Sequence, residues 1–166
     1  MEQMIERLLC LSRVQQKEYH FQQIDISECL RELLQDYHLQ EETNQIVLEA
    51  EIQDSLFVHS NFEVVNLIFS NLLSNAVKYS ADKRIKINLC LEEDHCVFRI
   101  QNRVSDAQSM DTARLWEPFY VAEQSRNQEL SGTGLGLAIV RDASERLGCI
   151  CECTLDKKII TFSVTF

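Results

Sequence analysis

Two stretches, RIKINLCLEE over 84–93 and HCVFRIQNRV over 95–104, alternate apolar and polar residues with a period of two. Only a turn near Glu93 and Asp94 separates them, so they predict an antiparallel strand pair. The tail repeats the device, with CICECTL and IITFSVTF turning at Asp156 and Lys157. QIVLEAEI and SLFVHS, rich in β-branched and aromatic residues, predict two further strands joined through Gln53 and Asp54.

Between the strands lie segments of helical period. NFEVVNLIFSNLLSNAVKYS carries Val64, Val65, Ile68, Leu72, Leu73 and Val77 as a wide apolar stripe on one long helix. An extended piece at 19–24 leads to Asp25-Ile26-Ser27, a cap for a helix bearing Ile26, Cys29, Leu30, Leu33 and Leu34. Residues 133–147 predict the last helix, closed by Gly148. Residues 2–16 place Ile5, Leu8, Leu9, Leu11 and Val14 at helical spacing. The sum is an α+β fold, a two-layer sandwich with helices on one face of a mainly antiparallel sheet.

A chain of 166 residues, 45% hydrophobic, suits one globular domain with a helical extension. A net charge of −10 argues against nucleic acid or an anionic membrane surface as partner, and the cluster Lys83, Arg84 and Lys86 reads as a solvated strand edge. No apolar run approaches the roughly 18 residues of a bilayer span, and the N-terminus lacks a signal-peptide pattern. The chain as given is therefore expected to be soluble and cytoplasmic. Seven cysteines, an odd number, fit reduced thiols. Cys149, Cys151 and Cys153 sit at alternate positions, too far apart along a strand to close on one ion, and read as small inward hydrophobes rather than a soft-metal site.

The stretch LSGTGLGLAIV holds Gly132, Gly134 and Gly136 just ahead of the last helix. A helix beginning at Thr133 would offer backbone N–H groups and its positive dipole end to an anion, with the glycines letting phosphate oxygens approach the main chain. The same glycines would equally serve a close-packed turn. On the long helix Asn71, Asn75 and Lys78 share one face, and two carboxamides with an ammonium are costly to bury without a ligand; a solvated polar stripe is the alternative. Lys78 suits phosphate oxygens, and Asn75 offers a carbonyl oxygen of the kind Mg²⁺ prefers. Residues 103–132 form a long polar interval, the kind of loop that serves as a lid.

NLLSNAVKYS, LWEPFY and GTGLGLAIV, in that order, resemble the N, F and G2 boxes of the catalytic ATP-binding domain of sensor histidine kinases, over about residues 24–166. The sequence is similar in particular to the vancomycin-resistance-sensor group. The resemblance implies the Bergerat ATP-binding fold, a mixed sheet backed by three helices, with Mg²⁺ and ATP held between the N-box helix and a lid. It implies that Asn75 ligates Mg²⁺, that Asn71 and Lys78 act at the triphosphate as catalytic residues, and that Tyr79 lies on the adenine or ribose side. Gly132, Thr133, Gly134, Leu135 and Gly136 would contact phosphate and hinge the lid, with Trp116 and Phe119 as its hydrophobic pegs.

One box departs from the family. Its D-x-G-x-G pattern falls at QNRVSDAQ, where Asn102 replaces the aspartate that accepts the adenine amino proton and both glycines are missing. Asn still accepts that bond but without charge assistance, so ATP binding is expected to persist more weakly, with a lid less able to hinge at 104–106. Residues 1–18 resemble the end of a dimerisation and phosphoacceptor helix, leaving 19–166 as the catalytic domain. His20, His38, His59 and His95 lack an acceptor motif, so the phosphorylated histidine is expected elsewhere in a longer, membrane-bound, homodimeric sensor that passes phosphate to a response regulator. A nucleotide-impaired regulatory module and an anti-sigma-type serine kinase are the competing expectations.

Overall fold

A computed structural model describes residues 20–40, 46–108, 110–121 and 133–166. The helix expected over 2–16 and the residues 122–132, Gly132 among them, lie outside the described residues. The chain enters through β1 (Gln22–Asp25) and turns into α1 (Ile26–Gln40). Asp25 starts that helix as its sequence predicts: Oδ1 accepts from the Ser27 N–H at 2.9 Å and the Glu28 N–H at 3.3 Å. Then follow β2 (Val47–Ile52), β3 (Phe57–Ser60), α2 (Phe62–Tyr79) and the hairpin of β4 (Arg84–Glu92) with β5 (His95–Arg103). A 3-10 turn at Arg114–Trp116, α3 (Gly136–Leu147), β6 (Ile150–Asp156) and β7 (Ile159–Thr165) complete the described chain.

The five-stranded sheet has the order β2-β4-β5-β7-β6, antiparallel except for the parallel pair β2–β4. Parallel neighbours need a long crossover, and α2 provides it. The strands QIVLEAEI and SLFVHS do form, but in different sheets: β3 pairs with β1 in a two-stranded ribbon. The reason lies in their connection. Buried Ser27 donates through Oγ to the Gln53 carbonyl at 2.7 Å and accepts from the Leu56 N–H at 3.1 Å, which turns the chain away from β2. At the β4–β5 turn both Glu93 and Asp94 adopt positive φ, as a two-residue hairpin requires. The final hairpin turns at Lys157 and Lys158, one residue later than expected, because Asp156 still pairs with Ile159.

Ile85, Ile87 and Leu89 of β4, Phe98 and Ile100 of β5, and Ile160, Phe162 and Val164 of β7 face one core with Val65, Ile68, Phe69, Leu72 and Leu73 of α2. The Phe69 and Phe98 rings lie 4.6 Å apart, and Phe166 meets Phe69 edge-on at 6.0 Å. The basic residues Arg84 and Lys86 both reach Glu49 on the edge strand at 3.6 Å, the solvated edge expected of that cluster. No helix among the described residues is long and apolar enough to cross a membrane.

Phe69, 1% exposed, joins the helical layer to the sheet. Its truncation to Ala is expected to cost about 3–5 kcal/mol in urea unfolding. On the outer part of β4, Glu92 takes a two-pronged bond from Arg99, both contacts at 2.6 Å, and this bond holds the Glu92 carboxyl down to about 2 from an ordinary 4.5. A depressed carboxylate stabilises the fold above its unfolded value and loses that contribution as pH falls through the folded one. Unfolding midpoints measured between pH 4.5 and 2 should therefore fall less steeply for Glu92→Gln than for the parent chain.

Candidate functional site

The long helix α2 is set at its start by Asn61, whose side chain accepts from the Val64 N–H at 3.1 Å. With Val64, Val65, Ile68, Phe69, Leu72, Leu73 and Ala76 buried, the helix cannot rotate, and Asn71, Asn75 and Lys78 are left half-buried beside that stripe. Asn71 Nδ2 donates to the Leu67 carbonyl at 2.8 Å, one turn back, which orients the carboxamide. The Asn75 side chain has no hydrogen-bond partner among the described residues. Lys78 Nζ lies 5.2 Å over the ring of Tyr79 in the last turn.

The start of α3 differs from the sequence expectation. The helix begins at Gly136, capped by Leu135, and Thr133–Leu135 form the segment that leads into it. Gly134 is the cause: its φ of +67° does not belong to a right-handed helix, and a Cβ there would lie 2.8 Å from the Phe119 backbone. The Phe119 N–H donates to the Gly134 carbonyl at 2.9 Å. Gly136 is glycine for another reason. A Cβ at this buried position would meet Asn71 Oδ1 at 3.3 Å and the two Asn75 side-chain atoms at 3.6 and 3.7 Å. The structure thus brings Asn71, Asn75 and Gly136 together, with the N-terminus of α3 laid on the amide face of α2. Two of the three glycines serve tight backbone geometry in their own right.

Asn102 closes β5 between Ile85 and Ile160 and is 3% exposed. The loop after α2 is tied to this strand end: the Ala81 N–H donates to the Arg103 carbonyl at 2.7 Å, and Arg103 Nε meets Asp82 Oδ2 at 3.2 Å. That tie holds the end of α2 bearing Lys78 and Tyr79 to the strand bearing Asn102. Neither Asp82 nor Arg103 stands out in the sequence, because two side chains that meet across 21 residues leave no periodic trace. Val104 is buried and its N–H donates to the Lys158 carbonyl at 2.8 Å, so the chain leaving β5 is seated where the family pattern has glycine.

Trp116 packs edge-on against Phe162 at 5.7 Å, as a hydrophobic peg should. Phe119 does not: it is 57% exposed, and its φ of +65° is taken up by the backbone turn that meets Gly134. Arg114 lies over the Tyr120 ring at 4.7 Å and pairs with Glu117 at 3.2 Å, so this stretch is knit together on both sides of the turn. Burial pushes the Cys149 and Cys153 thiols up to about 12 and also raises Cys151, so all three stay protonated near neutral pH. No metal-binding group of His, Cys, Asp and Glu occurs among the described residues. A shallow hollow of about 610 Å³ lies away from these residues, at the other end of β5, lined by Glu92, His95, Val97 and Arg99 among others.

Alanine at Gly134 in the native backbone would both adopt a left-handed conformation and push against the Phe119 main chain. The expected cost in urea unfolding is about 2 kcal/mol or more, well beyond that of a surface Gly→Ala change.

Residues 62–166, more than half of the chain, match the family described as Histidine kinase-, DNA gyrase B-, and HSP90-like ATPase. The chain is similar to the sensor histidine kinase YcbM of Bacillus subtilis, with 28% identity over 152 residues, covering 89% of this chain and 49% of that protein. It is also similar to the sensor protein VanSC of Enterococcus gallinarum, with 31% identity over 119 residues, covering 71% of this chain and 33% of that protein. It therefore spans about half or less of the length of these relatives. Among solved structures, full-length ShkA in complex with AMPPNP superposes with a TM-score of 0.78 at 18% identity, over 98% of this chain and 35% of that one. The mycobacterial sensor histidine kinase MprB gives 0.71 at 18%, over 89% and 97%. With a mixed sheet backed by helices, and an amide-bearing helix facing a glycine-rich segment, the chain belongs to the histidine kinase-, DNA gyrase B- and HSP90-like ATPase family.

Proposed function

We propose that the domain binds Mg²⁺ and ATP where α2 meets the start of α3, and that within a longer sensor kinase it donates the γ-phosphate to a histidine on a dimerisation domain. The observation that carries this reading is the close approach of Gly136 to the amide face of α2. A carboxamide oxygen of Asn71 and the whole carboxamide of Asn75 border it, half-buried and without protein donors or acceptors to satisfy them among the described residues. Polar groups in such a place are costly unless a ligand completes them.

Neutral amide oxygens fit Mg²⁺, which favours oxygen ligands and retains water, and Asn75 is the residue to hold it. The ion, when bound, offsets phosphate charge. Asn71, held in one orientation by the Leu67 carbonyl, acts at the triphosphate, while Lys78 supplies a mobile cation there. Gly134, Leu135 and Gly136 present main chain to the phosphates, together with Thr133 and Gly132. The first free N–H groups of α3 add the positive end of its dipole from Leu135 onward, not from Thr133. Tyr79 and Asn102 serve the nucleoside end. Phosphoryl transfer asks mainly for positioning and charge neutralisation, so the absence of a general base from this list is no obstacle.

In this reading residues 1–18 end the dimerisation helix and 19–166 form the catalytic domain. The whole protein is a homodimer with its catalytic part in the cytoplasm, and a response regulator receives the phosphate. The seated Val104 favours a second reading, a regulatory module of the same fold that has lost nucleotide use. One measurement separates them. With ligand at about a hundred times its dissociation constant, Mg·ATP should raise unfolding stability by about 2.7 kcal/mol, and Asn75→Ala should remove the rise. No shift in the parent chain at millimolar nucleotide would leave the regulatory module as the better account.

A further inference from the structure

At the end of β5 one backbone oxygen serves two donors. The Arg103 carbonyl accepts from the Ala81 N–H at 2.7 Å and from Asn102 Nδ2 at 3.4 Å. Only the nitrogen end of a carboxamide can lie against a carbonyl oxygen, because the oxygen end would be repelled by it. The buried Asn102 side chain is thereby held with its nitrogen on Arg103, which turns Oδ1 the other way.

The Arg103 carbonyl is itself held by the loop after α2. Asp82 Oδ1 accepts from the Arg84 N–H at 3.2 Å and lies 3.3 Å from the Ser80 hydroxyl, and Oδ2 accepts from Arg103 Nε at 3.2 Å. Desolvation works against ionisation of Asp82, but the Arg84 N–H, the Ser80 hydroxyl and Arg103 together outweigh it and keep the carboxyl below its ordinary range. The charged carboxylate thus folds residues 80–84 into a compact turn and hooks that turn onto Arg103. Ala81 is carried to the Arg103 carbonyl by the same turn.

We propose that Asp82 and Arg103 are positioning residues for nucleobase specificity: by fixing the Arg103 carbonyl they turn the Asn102 carboxamide so that it offers the base an acceptor, selecting adenine over guanine. The inference rests on the reading of Asn102 as the residue that meets the base. An aspartate in its place would need no such control, since both its oxygens accept. Asparagine has one accepting and one donating end. Adenine presents an amino donor where guanine presents a carbonyl oxygen, so a reversed carboxamide would favour the wrong base. Replacing the family's aspartate by Asn102 therefore makes selectivity depend on whatever holds the amide, and in this chain that is the Arg103 carbonyl.

Titration calorimetry of the full chain of 166 residues with Mg·ATP and Mg·GTP tests this. Asp82→Ala and Arg103→Gln should each lower the preference for ATP over GTP by about fivefold, the worth of one neutral hydrogen bond. Asn102→Asp should retain the preference, and adding Asp82→Ala to it should change the preference no further. Unchanged preference in Arg103→Gln overturns the proposal even if Asp82→Ala fails to fold, because Arg103→Gln removes only a half-exposed ion pair. An equal loss in the Asn102→Asp background also overturns it, since loop geometry rather than amide orientation would then be responsible. Absence of binding of either nucleotide by the parent chain removes the ATP reading itself, and this inference with it.

Discussion

The first turn of α3 lies so close to α2 that the space for one methyl group is filled by the carboxamides of Asn71 and Asn75. A side chain at residue 136 would press on the Asn71 carboxamide, and the approach fixes where the helix dipole, the glycine-rich segment and the amide face stand relative to one another. The core enforces it from below. Val140 and Ala143 of α3 are fully buried with Leu72 and Leu73 of α2, so the two helices cannot separate without exposing apolar surface. Polar groups are thus held half-buried at the rim of an apolar contact, where water is partly excluded and an anion or cation meets fewer competing partners.

A second constraint runs through the backbone rather than the side chains. Phe119 and Gly134 both adopt positive φ and are joined by a hydrogen bond, so the backbone at these two residues meets at one defined point. Trp116 on Phe162 anchors the same stretch to the sheet. The stretch 116–119 is therefore held by sterics and an aromatic contact, and Val104 is held to the β6–β7 turn. Where the family pattern has glycine after β5, this chain has a buried valine at position 104.

The loop of residues 80–84 links the two halves of the candidate site. Its tie to Arg103 sets the end of α2 against the end of β5, so the helix that carries Asn71, Asn75 and Lys78 is joined to the strand that carries Asn102. The ion pair is half-exposed and by itself contributes little to stability. Its consequence is geometric: it holds the turn of residues 80–84 against the end of β5.

Much of this was legible in the sequence, for physical reasons that can be named. Period-two alternation has to put one side of each strand inward, so β4, β5, β6 and β7 and their hairpin partners could be read directly; a 3.6-residue stripe did the same for α2, and Asp25 and Gly148 marked helix ends through local backbone chemistry. Asn71 and Asn75 were readable as neighbours because helical spacing is local. The parallel pairing of β2 with β4, the separate ribbon of β1 and β3, and the true start of α3 were not, because each is decided by a partner distant in sequence: Ser27 on the 53–56 connection, and Phe119 on Gly134. The exposed ring of Phe119 and the tie of Asp82 to Arg103 have the same origin. Local periodicity and capping act within a few residues and are written in the sequence, whereas backbone approach and the orientation of a buried amide arise only when remote segments meet in the folded chain.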